Sequence, residues 1–289
     1  MKPLRHLITF LTLSLCLLHA EETPRATEKV EGGGTTEMRN KYPEKITSEE
    51  HTRWVNYVKS KEPEEQVWLQ TLEERMGIHF FPNYQSYLVR DMIDPEKDPW
   101  AYVKDDRGLP RLLILGDSIS RGYTANVRQQ LKGKANVHRA PENCGATAHF
   151  IKNGEVWLEQ NGSNRWDVIT VNFGIHDRST KPDVYWANLK AIFSRLRETG
   201  AKILWVRTTP TGSIHKGGIE ADESKGVNEI ADLVASEEGI EIIDVHGAIA
   251  AESATLLNKE DKLHWSEEGY QKIGKAVIEG VEHHLRSKQ

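Results

Sequence analysis

Arg111-Leu112-Leu113-Ile114-Leu115-Gly116-Asp117-Ser118-Ile119-Ser120 is the stretch on which the fold turns. Its unbroken apolar run, closed by glycine, reads as a strand buried on both faces. Downstream the text alternates. Strand candidates lie at 111–115, 135–138, 167–173, 201–208 and 240–244, and helix candidates at 122–132, 148–160, 183–199, 222–237 and 266–285. Strands separated by helices of this length need right-handed crossovers, which build a parallel sheet covered on both faces. The expected fold is therefore α/β, three layers (α/β/α) around a parallel sheet of about five strands. Sites in such sheets lie beyond the carboxyl ends of the strands. Ser118 follows the first strand, and His264 lies in a loop before the last helix.

Upstream of residue 110 the pattern changes. Thr47 and Glu50 have capping-box spacing before a helix carrying Trp54, Tyr57 and Val58. Pro63 opens a second predicted helix with Val67, Leu72 and Met76 inward, stopped at Gly77. Residues 78–104 are aromatic-rich and interrupted by Pro82, Pro95 and Pro99. These features define a helical N-terminal appendage at 46–109, packed on a main domain at 110–289. Residues 21–45, centred on Gly32-Gly33-Gly34, have almost no apolar content and read as a flexible leader. In residues 1–20, Lys2 and Arg5 precede the apolar run from Leu7 to Leu18, with Ala20 before Glu21. That is the layout of a secretory signal peptide cleaved after Ala20, so the expected location is secreted or periplasmic, without stable membrane insertion after cleavage.

Hydrophobic residues make up 38% and charged residues 28% of the 289, the balance of a soluble globular chain. Cleavage would remove Lys2 and Arg5 and leave 36 basic against 43 acidic residues, a surface that repels phosphate backbones. Nucleic acid is not an expected partner. Cys144 would be the sole mature cysteine, which excludes an internal disulfide.

A serine at a strand-to-helix turn sits beside helix N–H groups, whose partial positive charge suits a developing anion. A serine hydroxyl is a weak nucleophile until a base takes its proton, and Asp261 three residues before His264 provides an imidazole with an orienting carboxylate. Four blocks, in order, resemble those of the SGNH or GDSL hydrolases. They are Gly116-Asp117-Ser118, Gly145 within Asn143-Cys144-Gly145-Ala146-Thr147, Gly174-Ile175-His176-Asp177, and Asp261 to His264. The resemblance spans roughly 110–289 and implies the family's flavodoxin-like sheet. It also implies Ser118 as nucleophile, His264 as base and Asp261 as the residue holding the imidazole.

The same resemblance implies an oxyanion hole built from the N–H groups of Ser118 and Gly145 and a third donor. The family's asparagine position is His176 here, while Asn172, at the end of the same strand, also carries an amide; the third donor stays open between them, Asn172 first. A glycine at 145 leaves the backbone free to approach a substrate. Asp117 is expected to support the nucleophile turn and Asp177 to brace a loop. His149, His215 and His246 are rival bases near loops, of which His246 follows Asp244. No metal-ligand spacing and no phosphate-cradling glycine loop is present, so no metal or cofactor is expected.

The resemblance implies an esterase acting on an acylated small molecule or polysaccharide, with deacetylation of carbohydrate favoured. The alternatives are a broad short-chain acylesterase and an inactive carbohydrate-binding relative. Trp157, Trp186 and Trp265 lie near predicted loops or helix starts, and Trp265 reads either as the floor of a sugar subsite or as a core anchor for the last helix.

Overall fold

Along Arg111–Leu115 (β1), Leu112 and Ile114 point to one face of the sheet and Leu113 and Leu115 to the other, and all four are buried. This two-sided burial follows from a strand at the centre of a covered sheet. The computed structural model describes residues 47–212 and 222–285, so the expected signal peptide, the leader and His215 lie outside the described residues. Strands Asn136–Arg139 (β2), Val168–Val171 (β3), Lys202–Val206 (β4) and Glu241–Ile243 (β5) complete the sheet. The order is β2-β1-β3-β4-β5, and each neighbouring pair is parallel. Strand order reverses between β1 and β3, the topological switch point where a crevice opens at the carboxyl ends.

Helices Ser118–Gln130 (α3) and Glu267–Val281 (α9) cover one face. Tyr123, Val127, Ile273 and Val277 pack there against Leu112, Ile114 and Leu204. Thr147–Leu158 (α4), Pro182–Arg197 (α5) and Lys225–Glu237 (α6) cover the other. Phe150, Trp157, Leu189, Phe193 and Val234 pack against Leu113, Ile169 and Trp205. Two short helices that the sequence pattern does not announce, Val245–Ala250 (α7) and Ser253–Leu256 (α8), lie between β5 and α9.

Several predicted boundaries move. The helix expected from residue 122 begins at Ser118, because Asp117 caps it by accepting from the Ile119 N–H at 2.8 Å. The strand expected over 167–173 ends at Val171, which leaves Asn172, Phe173 and Gly174 in a loop at the crevice.

The N-terminal segment departs most from expectation. Ser48–Lys59 (α1) carries the expected capping box. Pro63–Val89 (α2) does not stop at Gly77; it runs through Gly77 and Pro82 for 27 residues. An interior glycine costs about 1 kcal/mol and an interior proline about 3 kcal/mol. Burial opposes that cost, since Leu69, Leu72, Met76, Phe81 and Tyr84 form a separate cluster with Trp54 and Trp100. Val67, expected inward, is 62% exposed. It lies about 200° around the helix from Leu69, on the opposite face. No helix among the described residues is long and apolar enough to cross a membrane.

Candidate active site

The Ser118 hydroxyl and His264 imidazole, 146 positions apart, meet at the carboxyl edge of the sheet with Oγ and Nε2 2.8 Å apart. The other ring nitrogen, Nδ1, lies 2.9 Å from Asp261 Oδ2. An ionised carboxylate can only accept, so Nδ1 carries the proton and Nε2 faces Ser118 with its lone pair. That tautomer suits withdrawal of the hydroxyl proton. Burial acts to raise the Asp261 carboxyl, but the His264 ring and the N–H groups of His264 and Leu263 outweigh it and hold it below its ordinary value. It therefore stays an anion beside the imidazole.

Local chain geometry explains how these groups are held. Asp261 Oδ1 accepts the N–H of Leu263 and of His264, each at 2.9 Å, in an Asx-type turn. Lys262 occupies the left-handed region at φ 51° to close that turn. Asn258 N–H donates to His264 O at 2.7 Å, and Ser266 N–H to Leu256 O at 2.7 Å, so the loop is pinned at its base. Ser266 then caps α9 through the Gly269 N–H. Two glycines let α9 approach α3 closely. A Cβ on Gly122 would stand 2.2 Å from the Tyr270 ring, and one on Gly274 2.6 Å from Asn126 Oδ1. Ser118 begins α3 and His264 lies three residues before α9, so this helix contact helps bring the two chemical groups together.

The N–H of Ser118, at the first position of α3, has no intrahelical acceptor. Gly145 lies in the loop after β2, at φ 62°, where a side chain would be strained. Cys144 N–H donates to Gly116 O at 3.0 Å and ties that loop to the nucleophile turn. Asn172, expected ahead of His176 as third donor, is turned away. Its amide donates to Val206 O at 2.8 Å and Thr208 Oγ1 at 3.1 Å, which commits both amide hydrogens. The reason is burial: a buried amide takes the nearest acceptors, and a backbone carbonyl fixes which end is nitrogen. His176 is 38% exposed in its side chain, with Nε2 3.9 Å from Asp117 Oδ2, and so remains available at the crevice. Asp177 braces the loop as expected, accepting from the Thr147 N–H and Thr147 Oγ1, each at 2.7 Å.

Arg139, at the end of β2, is a site residue that sequence reasoning missed. It is 1% exposed, and its guanidinium donates to Asp117 O at 2.9 Å, Asn143 Oδ1 at 2.8 Å and Glu142 O at 3.0 Å. It thereby staples the nucleophile turn to the Gly145 loop. Burial lowers its pKa to about 10, which leaves it charged at neutral pH. The expected strand stops at residue 138, one short of Arg139; a buried arginine at the end of a strand in a covered sheet needs internal carbonyl partners.

Other candidates stand elsewhere. His246 Nε2 pairs with Asp222 Oδ2 at 2.6 Å, and His149 Nδ1 with Cys144 O at 3.1 Å; neither has a hydrogen bond to Ser118. Trp157 and Trp265 are buried in the two cores, and Trp265 Nε1 donates to Thr209 Oγ1, so neither offers a face to a sugar. Among the described residues Glu241, His283 and His284 could together ligate a cation. Glu241 opens β5 at the amino end of the sheet, away from the crevice, and Lys202 Nζ already lies 3.3 Å from it.

The sequence profile of the GDSL-like lipase/acylhydrolase family matches residues 114–272, more than half of the chain. No curated protein matches. Among solved structures, an acetyl xylan esterase, AlAXEase, is 16% identical with a TM-score of 0.51, over 59% of this chain and 99% of the other. A lipase/acylhydrolase from Enterococcus faecalis is 19% identical with a TM-score of 0.50, over 62% of this chain and 99% of the other. A variant of the acetyl xylan esterase Axe2 from Geobacillus stearothermophilus is 16% identical with a TM-score of 0.50, over 60% and 94%. At such identities these likenesses concern the fold. The order of the blocks, the parallel sheet and the family match agree: the chain belongs to the GDSL-like lipase/acylhydrolase family of SGNH hydrolases.

Proposed function

We propose that this chain is an exported serine esterase that removes acetyl groups from O-acetylated carbohydrate through an acyl-enzyme on Ser118. The observation that carries the reading is the 2.8 Å contact between Ser118 Oγ and His264 Nε2, with Nδ1 committed to Asp261. Ser118 Oγ attacks the ester carbonyl carbon while its proton passes to Nε2. The tetrahedral oxyanion is met by the N–H groups of Ser118 and Gly145 and by His176. Collapse breaks the bond to the alkoxy oxygen, and Nε2 gives its proton to the leaving alcohol. Water then adds to the acyl carbon, giving a proton to Nε2; the acid departs and the proton returns to Ser118. Ester and water become alcohol and acid, and no step calls for an oxidant or a cofactor.

Carbohydrate as the acyl carrier is supported by the likeness to acetyl xylan esterases and by the signal-like layout of residues 1–20, which takes the chain to where polysaccharides are met. Residues 110–289 are read as the esterase domain and 46–109 as its appendage. The test has two arms. Wild type should hydrolyse p-nitrophenyl acetate and Ser118→Ala should not; equal rates would remove the nucleophile. Acetylated polysaccharides should release acetate faster than longer acyl esters are cleaved. Preference for long chains would replace the carbohydrate reading by the broad acylesterase, and sugar binding with equal inertness of both proteins would replace it by a binding protein.

A further inference from the structure

The segment that carries Gly145 runs from Ala140 to Ala146, between the end of β2 and the start of α4, and belongs to no helix or strand. An oxyanion donor must nonetheless hold its place to within a few tenths of an ångström. Something outside regular secondary structure must fix this loop. Besides the Cys144 N–H bond to Gly116 O and the His149 contact to Cys144 O, two side-chain clusters anchor it, and each of them reaches into the N-terminal segment.

The first is centred on Glu142, three residues before Gly145. Its Oε1 accepts from Trp157 Nε1 at 2.8 Å and from Arg75 Nε at 2.7 Å, with Arg75 Nη2 on the same oxygen. Arg75 belongs to α2, so a guanidinium from the N-terminal segment holds the loop's carboxylate. The second is Arg139, which grips Ala140 O and Glu142 O on the loop and Asp117 O on the nucleophile turn. Trp100 lies 5.4 Å from that guanidinium. Trp100 is itself set by Asp98, whose Oδ1 accepts its N–H at 2.9 Å and whose Oδ2 accepts from Tyr84 of α2 at 2.7 Å. Arg128 of α3 completes the clamp by donating to Asp98 O at 2.8 Å. Arg75 and Trp100 both precede residue 114, where the family match begins.

The geometry points to residues 47–109 as a positioning device for the oxyanion hole, acting through Arg75 on Glu142 and Trp100 on Arg139. This rests on the esterase reading and deepens it. Without Arg75 the Glu142 carboxylate, buried beside Trp157, loses its charge partner and turns toward water, drawing the Gly145 N–H from its aim. The consequence is felt when charge develops on the carbonyl oxygen, in kcat, and little when the neutral ester binds.

The experiment measures p-nitrophenyl acetate hydrolysis by the full chain and by Arg75→Met, Arg75→Lys, Glu142→Gln and the double variant Arg75→Met/Glu142→Gln, with thermal midpoints. Arg75→Met and Glu142→Gln should each lower kcat by about 10- to 10²-fold, the range of a slightly misplaced group, with KM changed less than about twofold. The double variant should be no slower than the worse single, and Arg75→Lys should recover most of the rate. Wild-type kcat in Arg75→Met would overturn the proposal. So would a loss of rate that tracks a collapse of the thermal midpoint and is not restored by lysine, because that is a folding contribution alone. Wild type no faster than Ser118→Ala would instead remove the esterase reading and the proposal with it, an outcome distinct from equal activity across the Arg75 series.

Discussion

At the scale of single residues, Asn172 and His176, the two side chains considered as third oxyanion donor, differ in what they are bonded to. The buried Asn172 amide satisfies Val206 O and Thr208 Oγ1, whereas His176 stands at the crevice 3.9 Å from the Asp117 carboxylate. His176→Ala should therefore lower kcat by about 10²–10³-fold, the usual effect of losing one oxyanion donor, with little change in stability. Asn172→Ala should do the reverse. It strands a buried carbonyl and hydroxyl, at about 1–3 kcal/mol, and a denaturant midpoint should fall while the kcat of the folded fraction stays near wild type. Paired measurement of kcat and urea midpoint in both variants checks the assignment; a rate loss confined to Asn172→Ala would reverse it. The sequence made Ser118, Asp261 and His264 legible because they have local signatures, a turn after a strand and a carboxylate three residues ahead of an imidazole, whereas Gly145 was reached through the resemblance of its block to the family's. The sequence could not separate the two side-chain donors because the acceptors of the Asn172 amide lie at least 34 positions away, on β4 and beyond it.

Among elements, the crossing of α3 and α9 decides whether the hydroxyl and imidazole meet. Gly122 has no left-handed backbone to explain it; the reason for glycine is Tyr270, whose ring would lie 2.2 Å from an added Cβ. Gly122→Ala forces ring and helix apart. Overpacking of this kind costs about 1–3 kcal/mol, and kcat should fall as well, because Ser118 starts one displaced helix and His264 lies in the loop that leads into the other. Unchanged kcat with a lowered thermal midpoint would separate the crossing from the site. At the other end of the chain, Glu50 joins α1 to α2 by accepting from the Thr47 N–H at 3.0 Å, from Ser86 Oγ at 2.7 Å and from Arg90. Those bonds, the Thr47 N–H first, hold its pKa at about 2 against the desolvation that acts to raise it. A depressed carboxyl stabilises the fold fully above its ordinary value near 4.5 and progressively less as pH falls toward about 2. Urea midpoints measured across that window should decline in wild type and decline less steeply in Glu50→Gln, which keeps a side-chain acceptor for the Thr47 N–H but has no carboxyl to titrate. Parallel declines would remove Glu50 as the cause. The capping box was legible in sequence, but the length of α2 was not. Gly77 and Pro82 read locally as breaks, and the burial of Phe81 and Tyr84 that overrides them depends on Trp54 and Trp100.

For the whole molecule, alternation of apolar runs with amphipathic segments was enough to anticipate a five-stranded parallel sheet, because right-handed crossovers leave few other solutions. Less legible was the way the N-terminal segment joins the site. Arg75 meets Glu142 across 67 positions of chain, and Arg139 lies beneath Trp100; no periodicity or motif records either meeting. Nucleophilic attack by Ser118 requires transfer of its proton to His264, and covalent capture measures that step most directly. Mixed with a fluorophosphonate, whose phosphorus loses fluoride to an activated serine, wild type should gain a single adduct. Peptide mapping by mass spectrometry should place it on Ser118, with none in Ser118→Ala and a greatly slowed reaction in His264→Ala, while His246→Ala keeps the wild-type rate. An adduct on another residue, or one formed as fast without the His264 imidazole, would contradict the account.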